Sequence, residues 1–322
     1  MDRAPAIRQT AKPAAPYSTK PPSPPHVFIE KGTQWLTPMK IVPLYDNIDP
    51  ASLTNKELSI ITQNGLEQVA CDTSMTWTYE NRRQAQRVLD FLYLGPSVVL
   101  RNRQWLQEQG ITMVLAARDI KQAGLNIMTV DKVAQELGIE ARYLDVSGYD
   151  ALVASFPSAV RAINEHMLRI YREQAVAMAA TEMRDGAMAI DESKFRRGKV
   201  LVFCETGNDR SASVVAAYLM AVIGMTALQA CHFVTHSRFC VSMDEGIKHA
   251  LQVYEDILLA QRMVHRHELE FNAASMAKKA KRGVDDIIGD DGDAEMAGID
   301  RSELIDQGRF LGRSAFVPFV DS

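Results

Sequence analysis

Cysteine is scarce in this chain of 322 residues and falls into no pattern. The four present, Cys71, Cys204, Cys231 and Cys240, match neither a disulfide framework nor a zinc-ligand spacing. They read as reduced thiols, which points to the cytoplasm, the nucleus or both. Long apolar runs are missing too, and the first residues lack the apolar core of a secretory leader, so no membrane partner is expected. Nor is there an excess of positive charge. A formal net charge of −4 argues against electrostatically driven binding of nucleic acid. What the chain does have is 47% hydrophobic and 24% charged residues, enough for a sizeable core. Its length suits two average domains, or one domain with long extensions.

Residues 1–26 are rich in Pro and Ala and end near Pro21-Pro22-Ser23-Pro24-Pro25, the composition of a disordered or polyproline-II tail. Such a tail is either solvated or docked on a proline-reading partner. Residues 27–82 read as an extension that packs on the core, with Thr54 and Glu57 at capping-box spacing before a helix. The core domain is expected over 83–262. Val88 to Pro96 reads as one strand closed by a Gly-Pro turn, and Trp105 to Gly110 as a helix ending at its glycine. Ile111–Leu115, Ala141–Val146 and Val200–Cys204 read as strands. Helical spacing marks Phe156–Tyr171, Ser213–Ile223, Thr226–Val234 and Met243–Leu258. Strands alternating with helices imply an α/β sheet covered on both faces. Residues 172–198, with Met178, Met183 and Met188, look like an insertion, part helix and part loop. Residues 263–322 form a charged tail, with a basic cluster at Lys278 to Arg282, an acidic run from Asp285 to Glu295 and an apolar end at Phe310–Phe319. The basic cluster is a candidate nuclear localisation signal or an ordinary solvated charge run.

The chemistry concentrates in Val200-Leu201-Val202-Phe203-Cys204-Glu205-Thr206-Gly207-Asn208-Asp209-Arg210-Ser211. A hydrophobic strand ends in a cysteine, five residues form a loop, and an arginine opens an amphipathic helix. That order suits a thiolate at the base of a loop whose N–H groups and helix N-terminus converge on a phosphate. Residues Glu205, Thr206, Gly207, Asn208, Asp209 and Arg210 would surround the anion, with the planar fork of Arg210 gripping two oxygens. Gly207 allows the tight curvature. Cys204 would attack phosphorus and Ser211 would donate a hydrogen bond to the sulfur. No metal ion or organic cofactor is called for. His232 and His236, four apart on a helix, lack a third metal ligand and read as ordinary histidines. Rhodanese-type sulfurtransferases also set a cysteine in an anion-binding loop, but do not require this Gly207–Arg210–Ser211 pattern.

From about Arg83 to Ala260 the chain resembles the dual-specificity phosphatases of the protein tyrosine phosphatase superfamily. Leu92-Tyr93-Leu94-Gly95 is similar to that family's first strand, Gly110 to Leu115 to its second, and Phe203 to Ser211 to its phosphate loop. The resemblance implies a central, mostly parallel sheet with helices on both faces. It also implies action on phosphorylated Ser, Thr or Tyr in a protein, and a general acid in the Tyr143–Asp150 segment. Family spacing from Tyr143 selects Asp150, on a loop beyond Gly148; Asp145, within the strand, competes with it.

Two departures weaken the match. Family members carry histidine where Phe203 stands, and Phe203 contributes neither charge nor hydrogen bond. Glu205 and Asp209 add two carboxylates to the loop. Like charges roughly 6–8 Å apart cost about 2–3 kcal/mol at an effective dielectric of about 20. Highly charged ligands such as phosphoinositides and RNA 5′-triphosphates are therefore the poorest candidates. In weakening the catalytic loop the chain resembles the STYX-like pseudophosphatases, which keep the fold and capture phosphoproteins without turnover; their best-known members have lost the nucleophile, whereas Cys204 and Arg210 are both present here. Attenuated catalysis and phosphoprotein binding both stay open, and the sequence is silent on oligomeric state.

Overall fold

Strand β7 (Val200–Cys204) is buried along its whole length, and its alternation shows how the molecule is layered. Successive side chains of a strand point to opposite faces. Leu201 and Phe203 join one apolar cluster; Val200, Val202 and Cys204 join the other. The sheet between these clusters is therefore the middle layer, and Phe203 and Cys204 belong to opposite sides of it.

The computed structural model describes residues 39–44, 48, 52–70, 76–122, 127–185 and 195–285. The proline-rich segment, Cys71, the centre of the insertion with Met188, nearly all of the acidic run and Phe310–Phe319 lie outside the described residues. The chain divides into two units, 1–268 and 269–322, the second described only over the helical residues 269–285.

Five strands run in the order β3-β4-β7-β5-β6, where β3 is Gln86–Leu89, β4 Leu92–Pro96, β5 Met113–Asp119 and β6 Glu140–Val146. Strand β3 is antiparallel to β4, and the other pairings are parallel. Parallel neighbours need crossover connections. Helices α2 (Arg103–Gln109), α3 (Ile127–Leu137) and α4 (Tyr149–Asp185) supply them. The sheet's first face packs Val99, Leu106, Val130 and Val133 against Leu201 and Phe203. The second face packs Leu152, Phe156, Ile163 and Met167 of α4 together with α5 (Arg210–Tyr218) and α6 (Ala227–Ser237). This is the expected α/β architecture with a mostly parallel sheet covered on both faces.

Three local expectations need correction. Val88 to Pro96 is not one strand but a hairpin that turns at Asp90-Phe91. The Asp90 N–H donates to Gln68 Oε1 at 3.0 Å, and Phe91 O accepts from Val200 N at 2.8 Å. Gly95 and Pro96 do not turn; they pair with Phe203 and Cys204 in the parallel ladder. Second, helix α4 begins at Tyr149 rather than near Phe156, and it runs through Pro157. Pro157 removes one helical hydrogen bond, but burial of Leu152, Phe156 and Ala159 on the sheet outweighs that loss. Third, helix α4 does not end near Tyr171 but continues to Asp185. Helix α7 likewise extends from Glu245 to Asp285, well past Leu258.

Before the sheet, β1 (Lys40–Ile41) and β2 (Gln68–Val69) form an antiparallel pair flanking α1 (Asn55–Thr62). Thr54 and Glu57 make the expected capping box. Leu53, Leu58 and Ile61 enter the same cluster as α4, and Arg172 donates to Glu57 Oε1 at 2.7 Å.

Candidate active site

Strand β7 lies between β4 and β5, so Cys204 reaches the carboxyl edge of the sheet at its centre. Residues 205–209 form a loop there, and Arg210 opens α5. Open α/β sheets bind ligands at this edge. Gly207, with φ 76°, turns the loop back over the sulfur. Its N–H donates to Cys204 Sγ at 3.1 Å, and the buried Ser211 hydroxyl donates to the same sulfur at 3.1 Å. The Gly207 amide and the Ser211 hydroxyl thus converge on Cys204.

The loop's outer side is held by a residue that no sequence motif announced. Arg238, at the end of α6, has no exposed surface. Its Nε donates to Gly207 O at 3.0 Å, and one terminal nitrogen donates to Thr206 O and Asn208 Oδ1, each at 3.2 Å. The guanidinium also donates to Gln84 O at 2.7 Å and Arg82 O at 2.8 Å, and to Gln86. Burial pushes this guanidinium down from its ordinary value. By taking the loop carbonyls on the outside, Arg238 leaves Gly207 N–H free to face the sulfur. Asn208 is fixed further by Cys240, whose thiol donates to its Oδ1 at 3.1 Å, and by Ser242 N on its carbonyl at 3.0 Å. Burial raises the Cys240 thiol.

Arg210 is paired, at 3.3 Å, with Asp119, the last residue of β5. Asp119 was legible in principle as a carboxylate ending the strand beside the cysteine strand. Asp209 caps no amide of α5, and its Oδ1 lies 3.2 Å from Cys204 Sγ. The Thr206 hydroxyl donates to the same Oδ1 at 3.0 Å. Glu205 is exposed and its carbonyl accepts from Ser97 Oγ at 3.5 Å.

Two clefts adjoin the sulfur and Arg210. One, of about 200 Å³, is lined by Phe203, Cys204, Arg210, Ala116, Arg101 and Tyr143. Phe203 fills apolar space on the far face of the sheet, so a polar ring there would sit in the cluster of Leu201, Val114 and Val130. The second, of about 220 Å³, is lined by Asp119, Gly148, Tyr149, Asp209, Arg210 and Asp244. Tyr149 donates to Asp244 Oδ2 at 2.7 Å, which raises its phenol, and a Cβ on Gly246 would meet the Tyr149 ring at 2.4 Å. Asp244 also accepts from Ile247 N at 2.8 Å as an N-terminal cap of α7.

Asp150 is the second residue of α4, exposed, and not on the expected loop; its neighbours Gly148 and Tyr149 line the cleft. The competing Asp145 is engaged by Arg118 through both oxygens, one contact at 3.2 Å. His232 is lowered by burial. Among the described residues no group of three or more His, Cys, Asp or Glu is placed to hold a metal ion, and Cys204, Cys231 and Cys240 are free thiols.

This geometry can be set beside known proteins. The serine/threonine/tyrosine-interacting protein of Mus musculus is 32% identical over 192 residues, covering 59% of this chain and 73% of that protein. Protein phosphatase Slingshot homolog 1 of Homo sapiens is 26% identical over 263 residues, 77% of this chain and 21% of that protein. A crystal structure of the human tyrosine phosphatase-like serine/threonine/tyrosine-interacting protein aligns with 55% of this chain and 99% of that one, at 28% identity and TM-score 0.40. Residues 92–257, which run from β4 through the cysteine loop into α7, match the family model described as dual specificity phosphatase, catalytic domain. With a cysteine loop of this geometry inside a match that spans half its length, the chain belongs to the dual specificity phosphatase catalytic-domain family.

Proposed function

We propose that the domain takes phosphorylated Ser, Thr or Tyr side chains of proteins into the loop and hydrolyses them slowly. The observation that carries this reading is the convergence of Gly207 N–H and the Ser211 hydroxyl on Cys204 Sγ at the start of α5. In this reading the Cys204 thiolate attacks phosphorus and the ester oxygen leaves with a proton from Asp150. Water then displaces the sulfur from the thiophosphate. Arg210 exchanges Asp119 for two phosphoryl oxygens, and Ser211 stabilises the departing sulfur. The reduced thiols and the charge of −4 support a cytoplasmic or nuclear protein with no nucleic-acid or membrane ligand.

A second reading is capture of phosphoproteins without turnover. The Asp209 carboxylate in contact with the thiol favours it. Aryl phosphate turnover by the wild type, Cys204→Ser and Asp150→Asn separates the two. We expect slow wild-type turnover, none in Cys204→Ser with phosphopeptide affinity kept, and a loss of about 10²-fold or more in Asp150→Asn. Absence of wild-type turnover, with phosphopeptide still bound, removes the enzyme and leaves the binding module. Phosphopeptide affinity indifferent to Arg210→Ala removes the phosphate site itself.

A further inference from the structure

The carboxylate of Asp209 stands where a residue before a helix normally serves the helix. A side chain at that position usually accepts from the second or third amide of the following turn. Asp209 makes no such bond. Its Oδ1 instead accepts from the Cys204 thiol at 3.2 Å and from the Thr206 hydroxyl at 3.0 Å. The same sulfur already receives Gly207 N–H and the Ser211 hydroxyl, each at 3.1 Å. These two donors favour a thiolate, whereas a carboxylate in contact favours the protonated sulfur, because only a thiol has a hydrogen to give it.

Two other charged groups bear on the sulfur: Glu205 lines the first cleft as a second carboxylate, and Arg238 faces the charge of Cys204 from behind the loop. Arg210 is turned to Asp119. Arg101 and Arg118 line the first cleft, and Arg118 is engaged by Asp145. Tyr149 and Asp244 line the second cleft and bond each other. Arg238 backs the loop and spends its donors on carbonyls and amide oxygens. Asp209 is thus the charged group with an oxygen in hydrogen-bond contact with the sulfur among these neighbours.

We propose that Asp209 is an intramolecular anion that holds Cys204 in its thiol form and competes with an incoming phosphate for the donors of the loop. Asp209 is a positioning residue here, one that restrains the nucleophile rather than activating it. This proposal rests on the reading of Cys204 as nucleophile, and it gives attenuated turnover a specific cause that one substitution relieves.

The test is alkylation of the full chain by iodoacetamide across pH 5.5–9, with modification at Cys204 followed by peptide mass spectrometry. The expected result is an Asp209→Asn profile displaced to lower pH, with Cys204 modified about tenfold or more faster than wild type at pH 7. Tungstate should also bind about tenfold tighter to the variant, as one like charge leaves the anion's surroundings. Asp209→Ser serves if the asparagine variant does not fold, with the same direction expected. An unchanged profile overturns the proposal. A slower reaction overturns it as well, by making Asp209 the base that takes the thiol proton. A wild-type Cys204 that reacts faster at pH 7 than a short cysteine peptide overturns it without any variant. Alkylation reads the thiol and not turnover. Aryl phosphate hydrolysis without the alkylation difference would therefore remove the role of Asp209 alone, and the difference without hydrolysis would remove the phosphatase alone.

Discussion

Arg238 shows how much of the site depends on a side chain buried behind the loop. Its donors reach the carbonyls of Arg82, Gln84, Thr206 and Gly207 and the side-chain oxygens of Gln86 and Asn208. Hydrogen bonds to charged groups are each worth about 1.5–3 kcal/mol, and a buried acceptor left unpaired adds its own desolvation cost. Arg238→Met keeps much of the volume and removes every donor. We expect it to lower stability in urea by at least about 3 kcal/mol. Phosphopeptide affinity should be lost even at temperatures where the variant stays folded, since the loop carbonyls are no longer held outward. A variant that unfolds earlier but binds normally when folded would reduce Arg238 to a packing residue. Phe203 carries the opposite lesson: it departs from the family at a position that serves the apolar cluster on the far face.

At the scale of elements, the site is the junction of β7, its loop and α5. The loop passes so close to β4 that position 207 admits no side chain. A Cβ there would lie 2.5 Å from Gly95 C and 2.6 Å from Pro96 N, and φ is 76°. The near atoms are backbone, so they cannot swing aside as a side chain would. Gly207→Ala is therefore expected to move the loop away from β4 and to lengthen the bond from residue 207 to the sulfur. Tungstate binding should fall by about tenfold or more while the far-ultraviolet dichroism of sheet and helices persists, the strain amounting to roughly 1–3 kcal/mol. Retained affinity would show that the loop amides do not face the anion. Helix α4 has a comparable part in placement, because its start at Tyr149 decides where Asp150 and the bond to Asp244 lie.

For the whole molecule, the two edges of the sheet differ in task. Cys204 and its partners occupy the carboxyl edge. At the amino edge, Glu140 begins β6 and accepts from His166 Nδ1 and Arg169, each at 2.7 Å, and from Arg142. The Thr112 hydroxyl lies 2.8 Å from His166 Nε2 and accepts from Lys199 N, also at 2.8 Å, which ties β5 and β7 to α4. Burial pushes the Glu140 carboxyl up, but hydrogen bonds from His166, Arg142 and Arg169 outweigh it and hold the group at about 2, against an ordinary 4.5. A carboxyl lowered in the folded state stabilises it above pH 4.5, and that contribution is lost as pH falls towards 2. Burial lowers His166, so its protonation below the ordinary 6.5 also favours unfolding. Stability should decline as pH falls below 6.5 and more steeply below 4.5. Glu140→Gln should cost about 1–2 kcal/mol at neutral pH, allowing for solvent screening of the arginines, with the gap to wild type closing in acid. Thermal midpoints across pH 2–7 check this; a gap constant in pH would show that the charge of Glu140 does not matter.

The sequence by itself determined the α/β class, the strand that ends at Cys204, the five-residue loop, the glycine that turns it, and Arg210 at the head of a helix. These were legible because each depends on neighbours in the chain: a two-residue alternation, a spacing, a residue that tolerates positive φ. Tertiary structure decided the hairpin at Asp90-Phe91, the continuation of α4 through Pro157, the far-face position of Phe203 in the core, and the partners of the loop. Asp119 is 91 residues from Arg210 and Arg238 is 31 from Gly207, and no local pattern links residues so far apart. Asp209 marks the boundary between the two kinds of information. Its charge beside a phosphate loop is plain in the sequence, but its choice of the sulfur over the helix amides is made by the folded loop, where Thr206 and Cys204 present their hydrogens to the same oxygen.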